Sequence, residues 1–357
     1  MNRETPSSKF QDPAKLKTTA DRSRRLALSL LTSATALVLA GCGPQPPASD
    51  SASTDAADFP SKTISVICPW SPGGGTDRMA RFMADQLQSR LGKPVVVVNK
   101  TGGSGAIGHS EGARATPDGH TITMATFELS TMHWMGISEL TWEDFQPLYL
   151  LNGDAAAFFV RKDSEIKSLE DLLARIKASP GQITMSGTAS GGAWDLARAG
   201  FFLKAGLPVD SVIWSPTQGS APAIVELLGG HIDVVCCSLP EAATQLESGQ
   251  LRALAVMAPE RVAGFADVPT VKELGIDWEA VGWRGLCLPK GTPEPIVGKL
   301  AAECRAIVEG EDYRTFMEKN RFAIQAGSPA DFGEFMRRQD AQWKTVIEAA
   351  GFARNQP

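Results

Sequence analysis

Apolar runs alternate with amphipathic segments along most of this chain, beginning near residue 60. The run TISVICPW is continuously apolar and rich in β-branched residues, which is typical of a strand buried on both faces. In the segment after it, methionine and leucine recur every four residues over positions 79–91, which places one apolar stripe on a helix. PVVVVN and TITMAT predict the next two strands. Parallel strands joined by helices in this order predict an open, doubly wound sheet in an α/β fold.

A second series of strands and helices begins near residue 155. Its predicted strands are AAAFFV, QITMSG, SVIWSP, IDVVCCS and LRALAVMA. Three helical segments close the chain, the longest over residues 328–351. A chain of 357 residues, of which 43% are hydrophobic and 21% charged, is long enough for two domains of this kind.

One local arrangement recurs in both series: an apolar strand ends in a loop of Gly, Ser and Thr, and a helix follows. These loops lie near residues 71–77, 102–108, 186–194 and 215–221. In open α/β sheets, ligands bind at the carboxyl ends of the strands, where helix N-termini present backbone N–H groups and a positive dipole end. The three glycines of SPGGGTD let a ligand approach the main chain. The sequence therefore predicts an anion site in this loop, with Thr76 as the helix cap and Asp77 in the first turn.

Other ligand classes fit these loops less well. A nucleotide-binding P-loop needs a lysine, which SPGGGTD lacks. A dinucleotide fingerprint can be drawn through Gly103, Gly105 and Gly108, but no acidic residue ends a following strand at the expected distance. GTASGG departs from a hydrolase nucleophile elbow because Thr188 stands where that motif has glycine. No cofactor is therefore expected, and the net charge of -5 gives no indication of nucleic-acid binding.

The cysteines after the N-terminal region lie mostly within apolar runs; they are Cys68, Cys236, Cys237, Cys287 and Cys304. We expect them to be buried small hydrophobic residues. No CxxC or HxxxH pair occurs, so no metal site is predicted. One disulfide remains open in an oxidising compartment.

The N-terminal region has the features of an export signal rather than of a folded domain. Residues 1–25 are polar and end in two arginines, and the apolar stretch after them is short for a membrane span. The junction LAGC is similar to the lipobox of bacterial lipoproteins, which predicts a signal peptide over 1–41 and lipidation of Cys42. A plain secretory signal or a retained anchor are the alternatives. Residues 42–60 are rich in Pro, Ser, Ala and Asp and predict a flexible tether.

Three motifs in fixed order, PGGGTD, GGSGAIG and LLGGHID, resemble those of the substrate-binding proteins of tripartite tricarboxylate transporters, also called Bug receptors. The resemblance extends over roughly residues 60–350. It implies a two-lobed periplasmic-binding-protein fold of the Venus-flytrap type, each lobe an open sheet flanked by helices. Lobe 1 would comprise 61–158 plus 284–357, and lobe 2 would comprise 159–283. The implied function is capture of an organic carboxylate in the interlobe cleft and its delivery to a membrane permease, without catalysis.

The resemblance also implies the ligand-binding residues. They are Ser71, Gly73, Gly74, Gly75, Thr76 and Asp77 in the first loop, Thr126 and Phe127 after the third strand, Gly187, Thr188, Ser190 and Gly191 in the first loop of the other lobe, and Gln218 and Gly219 in its second loop.

Three residues carry open alternatives. Trp194 stands where relatives commonly have His, and it either floors the pocket or packs in the core. Arg284 either binds a second or third carboxylate of the ligand or forms a surface ion pair. Asp77 is interpreted as a helix-start residue rather than a catalytic acid.

The sequence as a whole predicts an extracytoplasmic, lipid-anchored receptor in the periplasm or on the outer cell surface. A ligand-sensing protein for a membrane signalling partner is the first alternative. An extracytoplasmic enzyme on the same fold is the second, although the glycine-rich loops contain few titratable groups.

Overall fold

The structure, a computed structural model, describes residues 58–354, in which helices cover the faces of two sheets. The helices of this region are α1 (Gly75–Leu91), α2 (Ala106–Ala113), α3 (Leu169–Ala178), α4 (Ala193–Lys204), α5 (Ser220–Leu228), α6 (Ala243–Glu247), α7 (Glu294–Val308), α8 (Glu311–Asn320) and α9 (Pro329–Ala349). The strands are β1 (Ile64–Cys68), β2 (Val95–Asn99), β3 (Thr121–Thr126), β4 (Phe145–Arg161), β5 (Thr184–Ser186), β6 (Ile213–Trp214), β7 (Val234–Ser238), β8 (Leu251–Val256), β9 (Val281–Pro289) and β10 (Ile324–Gly327).

The first sheet has the strand order β2–β1–β3–β9–β4–β10, and the second has the order β8–β4–β7–β5–β6. Strand β1 is parallel to β2 and β3, and β5 is parallel to β6 and β7, as the βα alternation predicts. Strands β9, β4, β8 and β10 pair antiparallel to their neighbours. The predicted α/β class is confirmed, but both sheets are mixed rather than purely parallel.

Strand β4 belongs to both sheets. Its residues through Ala155 pair with β9, and its residues from Ala156 onward pair with β7 and β8. The sequence predicts only its second half, as AAAFFV. In the first half the polar side chains of Asn152 and Asp154 are buried, and Asn152 Nδ2 donates to Asp154 Oδ2 at 2.7 Å.

The buried apolar residues form two cores: the first belongs to the first sheet and its helices, and the second contains residues of both sheets. The predicted stripe on α1 packs into the first core, where Met79, Met83 and Leu87 have no exposed surface and Leu91 lies at the margin. Gly92 ends this helix in the left-handed conformation (φ 66°), which confirms it as the C-cap. The predicted cap Thr76 is wrong, because α1 begins at Gly75 with Gly74 as the N-cap residue.

The predicted signal peptide, Cys42 and most of the tether lie outside the described residues. Phe59 and Pro60, which the sequence analysis assigns to the tether, are buried, and the Phe59 ring contacts His120. The five cysteines within 58–354 are all buried and none is in a disulfide. Among the described helices, none combines the length and the apolar character needed to cross a bilayer.

Two helical glycines give a matched test of the packing that positions α4. At Gly200 a Cβ would lie 2.1 Å from the Trp278 ring, whose Nε1 donates to Ala197 O, whereas at Gly298 in α7 it would meet nothing within 4 Å. Gly298→Ala should stabilise by about 0.5–1 kcal/mol through helix propensity. Gly200→Ala should destabilise by about 1–3 kcal/mol through overpacking. Urea unfolding measures both free energies, and equal stability of the two variants would contradict the packing account.

Candidate functional site

A small cavity lies where three helices begin. Its wall includes Gly74, Gly75 and Thr76 at the start of α1, Ala193 and Trp194 at the start of α4, and Gly219, Ser220 and Ala221 at the start of α5. Its volume is about 30 Å³, which is room for one or two water molecules. Three helix N-termini with their partial positive charge therefore converge on one enclosed space.

The glycines at two of these N-termini have different backbone conformations. Gly219 has φ 119°, a conformation that L side chains rarely adopt. Gly74 has an ordinary extended backbone, but a Cβ on it would lie 3.6 Å from Ser220 Oγ. The starts of α1 and α5 thus face each other across the cavity at close range.

Four aromatic residues are among those that line the rest of the cavity: Trp70, Phe127, Trp194 and Trp283. The rings of Phe127 and Trp283 pack on α9. Trp70 Nε1 donates to Thr126 Oγ1 at 3.3 Å, which fixes the indole. Trp194 is only 4% exposed and packs so closely on Gly282 that a Cβ there would lie 2.5 Å from its ring. Both interpretations of Trp194 therefore apply, since one ring is packed in the core and also lines the cavity.

The side chain of Glu128 reaches the start of α4 from outside that helix. This residue follows β3 in the first sheet, is 2% exposed, and accepts hydrogen bonds from Ala193 N at 2.9 Å and from Thr126 Oγ1. Burial raises the pKa of this carboxyl group, and the two hydrogen bonds oppose that rise. A carboxylate from one sheet thus caps a helix of the other.

In the same manner, the side chain of Glu241 reaches the start of α1 from the other sheet. This residue ends a 3-10 turn, Leu239–Glu241, that follows β7 in the second sheet. Its Oε1 accepts from Gly75 N at 3.3 Å and from Arg284 Nη2 at 3.1 Å. Its Oε2 accepts from the backbone N and the hydroxyl of Ser238, which form a capping box with it.

Arg284 lies in the cavity wall but is engaged by protein oxygens. Its Nε donates to Thr76 Oγ1 at 3.0 Å, its Nη1 to Asp154 at 2.8 Å and its Nη2 to Glu241. The surface ion pair considered for this residue is wrong, because Arg284 is 3% exposed. All three nitrogens already donate, which weakens the expectation that Arg284 binds a carboxylate of the ligand.

The structure brings most of the predicted binding residues together. Ten line the cavity: Ser71, Gly74, Gly75, Thr76, Thr126, Phe127, Thr188, Trp194, Gly219 and Arg284. Six lie beside it: Gly73, Asp77, Gly187, Ser190, Gly191 and Gln218. The part of all sixteen residues in ligand binding stays a prediction. The six residues beside the cavity make contacts that stabilise its loops.

In the first loop, protein oxygens already accept from two of the amides that were expected to hold an anion. Ser71 N donates to Gln218 O at 3.1 Å, and Gly73 N donates to Asp77 Oδ2 at 2.9 Å. Asp77 also accepts from Arg81 and Asn99. The interpretation of Asp77 as a helix-start residue agrees with these contacts.

The other three residues away from the cavity support its second loop. A Cβ on Gly187 would lie 2.0 Å from Cys236 O, so glycine is needed there for strand packing. Gly191 N donates to Asp195 Oδ2 at 2.9 Å, and Ser190 O accepts from Ser104 Oγ at 2.7 Å. These bonds hold the loop in place before α4.

Sequence reasoning missed the two glutamates that cap the helices. Glu241 carried a usable signal, because Ser238 and Glu241 have the spacing of a capping box. Glu128 carried none, since its partner Ala193 is 65 residues away. Thr188 supplies a further polar group: its Oγ1 is buried and has no hydrogen-bond partner among residues 58–354.

Comparison with known proteins gives consistent matches. A family model for the tripartite tricarboxylate transporter family receptor matches residues 79–352. Protein BugT of Bordetella pertussis is 31% identical over 318 residues, which cover 84% of this chain and 93% of BugT.

Solved structures agree over the same span. The periplasmic binding protein BugD is 27% identical with a TM-score of 0.76, covering 83% of this chain and 99% of BugD. The R. palustris protein Rpa4515, solved with adipate, is 27% identical with a TM-score of 0.77, at 83% and 99% coverage. These likenesses confirm the predicted two-lobed periplasmic-binding-protein fold.

The buried Glu128 makes a prediction about pH. The pKa of Glu128 is raised in the folded state, so above the usual carboxyl range the folded protein keeps a proton that the unfolded protein has lost. The free energy of unfolding therefore falls as the pH rises. Glu128→Gln removes this loss while keeping an acceptor for Ala193 N. The gain in unfolding free energy over the parent should therefore be larger at about pH 8 than at about pH 4.

Glu318→Gln, on the exposed face of α8, is the matched control and should show no such trend. Chemical unfolding at both pH values measures the differences. A gain from Glu128→Gln that does not change with pH would show that Glu128 carries no buried charge.

Proposed function

This chain belongs to the tripartite tricarboxylate transporter receptor family, a family of extracytoplasmic solute-binding receptors, and we propose that it captures a small organic carboxylate in the cavity at α1, α4 and α5. The loaded receptor would deliver the ligand to the permease subunits of a tripartite transporter. It would do no chemistry on the ligand. Lipidation of Cys42 would hold the receptor at a membrane surface.

The convergence of three helix N-termini on one cavity is the observation that carries this proposal. Backbone N–H groups and the dipole at such positions favour negative charge without a free cationic side chain. The adipate in the structure of the R. palustris relative supports the same ligand chemistry. A carboxylate is therefore the ligand that this geometry suits best.

Ligand entry requires the two halves to separate. About 30 Å³ is far below the volume of ordinary ligand pockets. We take the halves to be residues 61–158 plus 284–357 and residues 159–283, with β4 and β9 near the junction. Ser71 N to Gln218 O, Ser104 to Ser190 O, and Arg284 to Glu241 then cross between them. A ligand that contacts both halves stabilises the closed form by its higher affinity for that form.

A thermal-shift screen of the full chain tests the proposal. The panel would pair hexanoate, adipate, benzoate and citrate with uncharged amides of the same size. A carboxylate at about one hundred times its Kd should raise the unfolding free energy by about 2.7 kcal/mol, and its amide should not. Glucose and AMP complete the panel, and a shift from either of them, with none from any carboxylate, would contradict the function.

Gly74→Val tests the position of the site. The extended backbone at Gly74 accepts valine without strain, but the side chain would enter the space between α1 and α5, near Ser220 Oγ. We expect the affinity for a carboxylate found in the screen to fall at least about tenfold, roughly 1.4 kcal/mol. Gly298→Val, on an exposed helix face, should leave binding unchanged. Unchanged affinity of Gly74→Val by calorimetric titration would move the site elsewhere.

A further inference from the structure

We propose that this receptor selects ligands with one carboxylate on an apolar body and rejects ligands with two or three. The proposal rests on the proposed function of the cavity and narrows its ligand class. It separates this chain from the R. palustris relative, whose structure holds the dicarboxylate adipate.

The first argument is that protein carboxylates already fill two of the three anion positions. Glu128 accepts from Ala193 N at the start of α4, and Glu241 accepts from Gly75 N at the start of α1. Each side chain comes from the opposite sheet. A carboxylate of the ligand at either position would have to displace the side chain of one of these glutamates.

The second argument is that neither glutamate can easily move away. Glu241 is held by four donors: the Gly75 and Ser238 amides, the Ser238 hydroxyl and the Arg284 guanidinium. Glu128 is 2% exposed and would lose the Ala193 and Thr126 bonds without reaching water. A buried carboxylate without hydrogen bonds is strongly unfavourable, so displacement opposes binding.

The third argument is that no protein carboxylate lies at the start of α5. In the part of the chain that the structure describes, no side chain accepts a hydrogen bond from the amides of Ser220 and Ala221, which begin α5 at the cavity. Thr188 lines the same cavity, is 4% exposed, and its Oγ1 has no partner among residues 58–354. The two amides can donate to one carboxylate, and the Thr188 hydroxyl is a further unpartnered group in the wall of the same cavity.

The charge of the surroundings opposes a second carboxylate. Glu128 and Glu241 line the cavity, and Asp154 lies directly behind Arg284, 2.8 Å from its guanidinium. Arg284 is the cation in the described part of the cavity wall, and its charge is shared between Asp154 and Glu241. A second negative group on the ligand would therefore meet like charges in a poorly solvated space.

The wall suits an apolar body. The rings of Trp70 and Trp194 lie beside Gly219 and Gly282 in the cavity wall, whereas the Phe127 and Trp283 rings pack on α9. Burying alkyl or aryl surface against Trp70 and Trp194 contributes favourably and needs no further polar partner. A ligand with one carboxylate at the start of α5 and an apolar remainder therefore matches both the free amides and the apolar part of the wall.

Two matched pairs of probes test the selection in the full chain by calorimetric titration. Hexanoate and adipate differ by one carboxylate, as do benzoate and terephthalate. We expect the better monocarboxylate to bind at least about tenfold more tightly than its partner. Glu241→Ala frees the Gly75 amide and one Arg284 nitrogen, so it should improve the affinity for the dicarboxylate relative to that for the monocarboxylate at least about tenfold. Glu247→Ala removes one exposed negative charge from α6 and should change neither.

The outcomes separate the inference from the function beneath it. If no carboxylate binds the parent protein, the proposed function fails and the selection fails with it. If adipate or terephthalate binds as tightly as its partner, the receptor function stands and the selection is overturned. If Glu241→Ala does not fold, the preference for the monocarboxylate is measured in Glu128→Gln instead. This variant keeps an acceptor for Ala193 N and removes only the negative charge. An unchanged preference in that variant would overturn the proposal.

Discussion

The carboxylate of Glu241 is the group on which the geometry of the cavity depends. It ties the first turn of α1 to the segment after β7 and is fixed at its own end by the Ser238 capping box. Through Arg284 it connects to Asp154 in β4, the strand shared by both sheets. Breaking a buried pair of this kind is costly, because it leaves an uncompensated charge. The arrangement therefore ties the start of α1 to the segment after β7 and to β4.

Glu128 makes the corresponding contact from the first sheet to a helix of the second. It extends from the first sheet to the start of α4, as Glu241 extends from the second sheet to the start of α1. Each sheet thus supplies an anion to a helix dipole of the other. Without a ligand, these contacts favour the narrow cavity. In the proposed selection, the ligand supplies what they do not: an anion at the start of α5 and apolar contact with Trp70 and Trp194. This division of roles links a structural ion-pair network to a choice of ligand.

The elements that the sequence predicts well are those set by local pattern. The methionine and leucine stripe of α1, the Gly92 cap and the N-cap Ser168, which accepts from Asp171 N, follow from neighbouring residues. The first half of β4 was missed because its buried polar residues are stabilised by partners far away, as Asp154 is by Arg284, 130 residues along the chain. The anion loop shows the same limit. Its glycines indicate where α1 meets the cavity, but the acceptor of the Gly75 amide lies 166 residues away and leaves no mark in the loop itself.

A crystal structure of the full chain with hexanoate would test this account most directly. We predict that the hexanoate carboxylate lies at the Ser220 and Ala221 amides with Thr188 Oγ1 as a further donor. Glu128 would remain on Ala193 N, and Glu241 on Gly75 N. A hexanoate carboxylate bound to the Gly75 or Ala193 amide, with the corresponding glutamate turned away, would contradict the central claim that the protein's own carboxylates reserve those two positions.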